Sequence, residues 1–397
     1  MAEILSRTNA EALIQEQLVQ SIWQDAPKQS VFMQLARKLP NMTSNQTRIR
    51  VLDVLPVAYW VDGDTGYKQT SKQAWDNVYL NAAELAVIVP IPEAVLADAS
   101  VDLIGEVQPR ITESIGKLVD QAIIFGINRP ADWTGDIITR ARQAGNNVAA
   151  GSGGAVTYDK LLGEGGVFSK VEEDGSLVRG CVASLGMRAK LRGIKDDNGS
   201  PLFKTDMQGP TQYALDGAPL YFPDNGSFDT SIAQLVVGDW SKAVYAVRQD
   251  ITVKILDQGV IQNPTTKAIE YNLAQQDMIA IRVVFRMGWA MPNPATRLDE
   301  DRITCPFAYL EPATAAATYT LTFTVTDGAT TPAAVSGAYV EVDGARIKTG
   351  ASGKAVFNLR PGTWKYKVRK DGFVPVSGTK TVSSAAVAEA VTLTANA

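Results

Sequence analysis

Polar and apolar residues alternate strictly near the end of the chain. In the stretch "PGTWKYKVRKDG" at residues 361–372, Trp364, Tyr366 and Val368 alternate with lysine and arginine, and an Asp-Gly pair follows. This pattern predicts a β-strand with one apolar and one basic face, closed by a tight turn. Repeated alternation with Gly-containing turns predicts seven short strands and therefore a small β-sandwich. The predicted strands cover residues 318–326, 338–343, 345–349, 353–359, 363–369, 373–382 and 386–394.

A second alternating pattern lies on either side of a polar segment in the first quarter of the chain. Residues 46–58 and 74–90 form two mainly apolar limbs, and residues 59–73 between them are rich in Gly, Asp, Lys and Thr. The pattern predicts a long two-stranded ribbon. Because an isolated two-stranded ribbon is marginally stable in water, we expect its apolar positions to pack on a neighbouring subunit.

Helical periodicity appears at two places. Ile14, Leu18 and Ile22 recur every four residues, which predicts a short amphipathic helix within an otherwise extended N-terminal arm. Apolar residues then recur every three or four positions over residues 100–125, up to Gly126. They predict a long amphipathic helix that ends at this glycine.

We expect the apolar face of that long helix to point into the body of the protein. Ile111, Ile115 and Leu118 are expected to be buried on this face.

Helices and strands are predicted to alternate from residue 156 to about residue 310. Residues 242–256 and 278–291 are two long strand patterns, which predict a central mixed sheet. The second is almost continuously apolar, as expected for a strand covered on both faces. Ser184 is the predicted N-cap of the helix in "SLGMRAKLRGI".

The chain has 397 residues and contains no histidine. Histidine-based catalytic triads, HExxH zinc sites and imidazole general bases are therefore excluded. Cys181 and Cys305 are too few for a disulfide framework, and we expect both to be buried thiols of a protein made in a reducing cytosol. We predict no catalytic, metal-binding or cofactor-binding residues, hence no cofactor and no enzyme.

Three glycine-containing stretches could in principle bind a phosphate group or a calcium ion. "GEGG" at 163–166 lacks the Lys-Ser or Lys-Thr of a phosphate loop. "DGDTG" at 62–66 and "KDDNG" at 195–199 have oxygen ligands, but neither has the spacing or the closing Glu of an EF-hand. All three are interpreted as ordinary loops and turns.

The charge of the chain is unevenly distributed. Residues 313–397 carry 9 Lys+Arg and 5 Asp+Glu, a net charge of +4, whereas the other 312 residues carry 29 and 37, a net charge of −8. An acidic body argues against a protein whose main task is to grip nucleic acid. Lys365, Lys367 and Arg369 form a basic strand face, interpreted as solvated, with an anionic glycan as the alternative ligand.

The order of these parts resembles the tailed-bacteriophage major capsid proteins of the Hong Kong 97 type. The resemblance covers about residues 1–310 and includes "VIVPIPEAVLADASVDLIGEV" at 87–107 and "MRAKLRGIKDDNGSPLF" at 187–203. It implies that the ribbon is the family's extended loop and the long helix its spine. The family's Pro-Leu-Asp-Ser-Asp-Leu pattern matches Pro92, Leu96, Asp98, Ser100, Asp102 and Leu103.

The last 80 residues resemble an immunoglobulin-like or carboxypeptidase-regulatory-like sandwich. The resemblance lies in "VSGAYVEVDG" at 335–344 and "TGASGKAVFNLRPGTWKYKVRKDGF" at 349–373. The zinc enzyme that such a module accompanies in peptidases is not implied here, because no histidine ligand exists. Relatives of the capsid type that crosslink their subunits use a loop lysine, but Lys68 and Lys72 are interpreted as solvated.

The resemblance implies an α+β capsid fold followed by a small all-β, immunoglobulin-like sandwich. It implies a virion protein that assembles with itself as pentamers and hexamers into an icosahedral head around double-stranded DNA. Portal and a separate scaffolding protein are further expected partners, and a host-surface polysaccharide is the candidate ligand of an outward-facing C-terminal domain. The predicted segments are the arm 1–45, the extended loop 46–90, the capsid core 91–312 and the accessory sandwich 313–397.

Two other functions remain open at this point. An encapsulin-like bacterial compartment shell would keep the fold, but the appended sandwich and the lack of any cargo-related signal argue against it. A surface adhesin or carbohydrate-binding protein would need a secretion signal, and the N-terminus has no apolar signal core. No membrane partner is expected, because no apolar run reaches the roughly 18 residues needed for a span.

Overall fold

The computed structural model of the chain describes residues 30–58, 60, 70–98, 103–196, 198–200, 202, 213–263, 265–313, 317–329 and 331–396. Several predictions fall outside these residues. They are the arm helix at 14–22, the ribbon tip with its "DGDTG" stretch and Lys68, and the helix start at Ser100 and Asp102.

Helices and strands both occur up to Arg192, but the described elements after it are strands, apart from the single 3₁₀ turn Trp240–Lys242. The predicted alternation of helices and strands up to residue 310 is therefore wrong beyond Arg192. The α-helices there are α1 Val31–Leu35, α2 Glu93–Asp98, α3 Leu103–Ile124, α4 Ile137–Gln143, α5 Tyr158–Leu161, α6 Val167–Glu173 and α7 Met187–Arg192. The strands before residue 312 are β1 Arg37–Lys38, β2 Gln46–Val54, β3 Ala74–Asn81, β4 Ala83–Pro92, β5 Asn147–Ala149, β6 Gly180–Ala183, β7 Ala214–Leu215, β8 Ala218–Tyr221, β9 Leu235–Gly238, β10 Val244–Leu256, β11 Val260–Gln262, β12 Ile269–Asn272, β13 Met278–Ala290 and β14 Phe307–Glu311. The later strands are β15 Tyr319–Asp327, β16 Tyr339–Val342, β17 Ala345–Lys348, β18 Lys354–Leu359, β19 Gly362–Arg369, β20 Val376–Val382 and β21 Val387–Leu393.

The chain divides into two compact units. The first contains, among the described residues, Ala86–Thr112 and Val253–Val283, including the antiparallel hairpin β11–β12. The second contains residues 30–85, Glu113–Thr252 and Val284–Ala397. The C-terminal strands therefore belong to the same compact unit as the ribbon β2–β3 and the helix α4.

The long helix is confirmed with small changes. It spans Leu103–Ile124, and Gly126 follows with φ 70°. Ile111 and Ile115 are buried as predicted, but Leu118 is half-buried, and Val119 is almost fully buried instead. The reason is spacing: residues four apart continue the stripe of Ile111 and Ile115 to Val119, so Leu118 lies at its edge.

The central body of the second unit is a six-stranded sheet in the order β5-β14-β9-β6-β8-β7. Helices α5, α6 and α7 pack on its apolar core. The predicted N-cap of α7 is wrong. The N-cap residue is Gly186, and Ser184 instead accepts a hydrogen bond from Met187 N through its backbone oxygen, at 2.9 Å.

The two long strands are confirmed as β10 and β13, within a four-stranded sheet of order β1-β10-β13-β4. Strand β1 runs parallel to β10. No residue of β13 is exposed, as its nearly continuous apolar sequence predicts.

The ribbon is an antiparallel pair whose register runs from Gln46↔Asn81 to Val54↔Ala74, with an irregularity at Asp53. The predicted return limb 74–90 is too long, because β3 ends at Asn81 and the chain from Ala83 onwards forms β4 in the other sheet. The periodicity of the sequence continues through both strands, so it carries no sign of the change of partner.

The seven predicted C-terminal strands are all observed, each within three residues of the predicted ends. They form two sheets in the orders β18-β15-β21 and β17-β16-β19-β20. Side chains from both sheets share one apolar core. The predicted core residues Phe323, Val325, Phe357, Leu359, Trp364 and Leu393 are buried there, and Tyr366 packs against it half-buried.

The structure thus contains a β-sandwich over residues 319–393. Its immunoglobulin-like character and the four predicted segment boundaries stay predictions.

Candidate functional site

One side of the ribbon exposes aromatic and arginine side chains. Directly opposite residues of an antiparallel pair share a face, and the pairs here are Arg48↔Tyr79, Arg50↔Asn77 and Leu52↔Trp75. Trp75 is 62% exposed and Tyr79 44%. We call Arg48, Arg50, Trp75 and Tyr79 the ribbon face.

The opposite side of the ribbon packs on the body of its own chain. Ile49, Val78 and Leu80 contact an apolar cluster that includes Met42 and Val244. Two hydrogen bonds to the ribbon backbone add to this contact. The backbone Ala295 N donates to Leu52 O at 2.8 Å, and the side-chain Trp133 Nε1 donates to Asn81 O at 3.0 Å. The ribbon is therefore anchored on one side and uncovered on the other.

Five charged side chains meet near Val54 and Ala74, at the end of the strand pair that leads into the ribbon tip. We call this end the ribbon root and the five side chains the ribbon-root cluster. Asp53 of β2 and Asp76 of β3 both pair with Arg302, at 2.9 and 3.1 Å. Two arginines of the C-terminal sandwich complete the cluster, with Arg346 3.2 Å from Asp53 and Arg369 3.2 Å from Asp76.

The arginines alter the ionisation of both aspartates. Burial raises the pKa of Asp53, but its hydrogen bonds and the positive charges of Arg302, Arg346 and Arg369 outweigh this and hold the pKa below its usual 3.8. The same holds for Asp76, whose burial is outweighed mainly by the charge of Arg369. Both carboxylates are therefore ionised at neutral pH.

A second group of charges, which we call the helix-side cluster, joins the sandwich to the region around α4. Arg129 forms an ion pair with Asp343 of the sandwich, and its Nη1 lies 3.6 Å from Asp136. Arg360 of the sandwich lies 3.3 Å from Asp136 and donates a hydrogen bond to Phe125 O at 2.6 Å. Burial raises the pKa of Asp343 despite the neighbouring Arg129.

Two further contacts between the sandwich and α4 lie beside this cluster. Gln143 of α4 exchanges two hydrogen bonds with the backbone of Asn358, through its Nε2 at 2.5 Å and its Oε1 at 3.2 Å. The Asp343-Gly344 turn, with φ above zero at both residues, approaches Arg140 so closely that a Cβ on Gly344 would lie 2.7 Å from Cζ of that arginine.

The basic strand face is therefore not a freely solvated surface. Arg369 binds Asp76, and Lys365 donates a hydrogen bond to Ala131 O at 2.7 Å, while Lys367 is exposed. The interpretation of this face as solvated is wrong for Arg369, which pairs with Asp76, whereas Lys365 and Lys367 are exposed as expected. The glycan site stays a prediction. Basic side chains of the sandwich meet acidic side chains of the acidic part of the chain here.

The glycine-rich stretches behave as loops where the structure describes them. In the "KDDNG" turn, Asp196 Oδ1 accepts hydrogen bonds from Asn198 N and Ser200 N. "GEGG" leads into α6, with Gly166 as the N-cap residue. Within the described ranges, no three acidic or cysteine side chains are grouped so that they could hold a metal ion.

Both cysteines are buried as predicted, and burial raises the pKa of the Cys181 and Cys305 thiols to about 12. They are therefore inert at neutral pH. None of the helices in the described part of the chain is long and apolar enough to cross a membrane.

The chain matches the phage capsid family over residues 10–296. The major capsid protein of Staphylococcus phage 80alpha is 25% identical over 286 residues, which cover 72% of this chain and 83% of that protein.

Solved structures from Microbacterium phage Oxtober96 and Mycobacterium phage Adephagia are 32% identical, with TM-scores of 0.68 and 0.67. The matches cover 78% of this chain and 100% and 98% of those chains. A capsid of a native GTA particle, at 16% identity and a TM-score of 0.59, is similar in fold.

Proposed function

This chain belongs to the phage capsid family, and from that premise we propose that its copies assemble as pentamers and hexamers into an icosahedral phage head. A capsid component is a structural protein of the virion rather than an enzyme, as predicted. The predicted α+β capsid fold is likewise confirmed by the mixture of helices and strands and by the similar capsid structures.

The observation that carries the assembly proposal is the ribbon face. Trp75 and Tyr79 remain exposed although the other side of the ribbon is packed, and Val57 and Trp60 beyond the end of β2 are exposed as well. Exposed aromatic side chains grouped on one surface are typical of protein–protein contacts. In the proposed shell this surface packs on an adjacent copy of the chain.

The proposed content of the head is double-stranded DNA, enclosed without sequence-specific contacts. The net charge of −8 on the first 312 residues supports a loosely held content, because tight binding of DNA needs many phosphate contacts from Lys and Arg. Portal and a separate scaffolding protein are the further partners of this proposal.

An assembly assay tests the ribbon face. We expect the purified chain to form closed particles by sedimentation and electron microscopy, and the Trp75→Ser/Tyr79→Ser variant to remain unassembled while keeping its unfolding midpoint. The matched control is Val356→Ser/Val374→Ser, which removes similarly exposed apolar side chains from the sandwich, 47% and 46% exposed. Equal particle yields from all three proteins would show that the ribbon face is not an assembly contact.

A further inference from the structure

We propose that the sandwich of residues 319–393 is a clasp that positions the root of the ribbon within each subunit. The family match ends at residue 296, so nothing in it assigns a role to these strands. The sequence predicts an accessory sandwich, whereas the contacts favour an architectural part of the subunit.

The ribbon-root cluster connects the sandwich to both limbs of the ribbon. Asp53 lies on β2 and Asp76 on β3, while Arg346 and Arg369 come from β17 and β19. Arg302 lies between them and pairs with both aspartates. Because each limb is held by an arginine of the sandwich, movement of the ribbon relative to the sandwich breaks at least one ion pair.

The helix-side cluster holds the sandwich at a second place. It uses the turn at Asp343 and the turn at Arg360, whereas the ribbon-root cluster uses strand residues. A module attached through several of its elements is fixed in orientation as well as in position. The sandwich can therefore act as a rigid support for the ribbon.

Several side chains of these ion pairs are buried, so the pairs are expected to contribute to the stability of the protein. The side chains of Arg302 and Arg346 are each 9% exposed, and that of Asp343 is 6% exposed. Removing one partner of such a pair leaves a poorly hydrated charge, which is far more costly than the loss of an exposed ion pair.

The ribbon needs such support because a two-stranded element is marginally stable by itself. A ribbon that is already ordered before assembly loses less conformational entropy when it binds a neighbour. The clasp thus supplies a preorganised binding element for the proposed assembly, and only the assembly readout below depends on that proposed function.

Hydrogen exchange on the full-length, unassembled chain tests the clasp. In Arg346→Gln/Arg369→Gln we expect the amides of β2 and β3 to exchange at least 10-fold faster than in the wild type, while those of β15 in the sandwich core stay unchanged. The matched control is Lys380→Gln, which removes an ion pair with Glu389 inside the sandwich. It should leave the exchange of β2 and β3 unaltered.

A second variant acts from the ribbon side. Asp53→Asn/Asp76→Asn leaves every sandwich residue in place and should produce the same faster exchange of β2 and β3. If hydrogen exchange of β15 is also faster in the arginine variant, the sandwich itself is destabilised, and the aspartate variant then tests the clasp. Unchanged exchange of β2 and β3 in the aspartate variant, with β15 protected, would overturn the clasp.

Particle yield supplies a separate readout. If the clasp supports assembly, both variants should give at least 10-fold fewer particles than Lys380→Gln. If even the wild type forms no particles, the assembly proposal fails while the exchange result still decides the clasp.

Discussion

Single side chains at the ribbon root make the stability of the protein dependent on pH. Asp53 and Asp76 have pKa values below the usual 3.8 because arginines surround them. A carboxyl whose pKa is lowered in the folded state stabilises the fold above its unfolded pKa, and this contribution is lost as the pH falls through the lower folded value.

We therefore expect Asp53→Asn/Asp76→Asn to unfold more easily than the wild type at pH 7, with the difference disappearing below pH 3.8. Chemical denaturation over a pH series measures this directly, and comparison of the two proteins cancels the contributions of all other groups. The control Asp257→Asn changes an exposed carboxylate and should leave the stability at pH 7 nearly unchanged. A difference that stays constant down to pH 2 would contradict the assigned ion pairs.

A substitution at Gly344 tests the close approach of the Asp343-Gly344 turn to Arg140. Gly344→Ala adds a Cβ that Arg140 blocks, and Arg140 is held by a hydrogen bond to Met291 O at 2.8 Å. Gly372 has a similar φ, 85° against 87°, but nothing lies within 4 Å of its Cβ position. Both substitutions strain the backbone, so the contact with Arg140 should cost Gly344→Ala an additional ~1–3 kcal/mol of unfolding free energy. Equal losses would show that the close approach is absent.

Among the strands and helices, the long helix α3 offers a test of packing. Val119 is almost fully buried and Leu118 only half-buried. An unpaired carboxylate at a buried position is much more costly than one that reaches water, so Val119→Asp should lose about 4 kcal/mol and Leu118→Asp about 1–2 kcal/mol. Thermal unfolding of the two variants measures the difference, and a larger loss for Leu118→Asp would contradict the observed helix face.

Elements that depend on local pattern were predictable from the sequence, and their partners were not. The alternation of residues 318–394 gave the C-terminal strands because side-chain direction in a strand has a period of two. The end of the ribbon at Asn81 was missed, because the pattern continues into β4 and only tertiary pairing separates the two strands. The α3 face was found, but its exact centre depends on which residues pack against it.

The partners of the charged side chains were likewise not predictable from the sequence. The basic residues Lys365, Lys367 and Arg369 stood out in the sequence, and so did the acidic body. Charge alone gives the sign of a partner but not its identity, so Asp53 and Asp76 were not foreseen. Their position on two neighbouring limbs, opposite an alternating basic strand in the same chain, is the signal that favours an intramolecular contact.

For the complete chain, the account combines two kinds of surface. Arg346 and Arg369 of the sandwich are used within the subunit, where they bind the ribbon root, and the ribbon face is left for contact between subunits. The adhesive role of the sandwich stays a prediction, and Arg369 is not free to serve it because this residue pairs with Asp76. An antibody or protease directed at the exposed Lys354 edge of β18 reports whether the sandwich is accessible on assembled particles.

Electron cryomicroscopy of particles formed by the purified full-length chain tests the central claim most directly. The account predicts closed icosahedral shells in which Trp75 and Tyr79 of each ribbon lie against a neighbouring subunit, with the sandwich bound to its own ribbon root. A protein that stays monomeric at high concentration, or shells in which the ribbon face points into solvent, would contradict it.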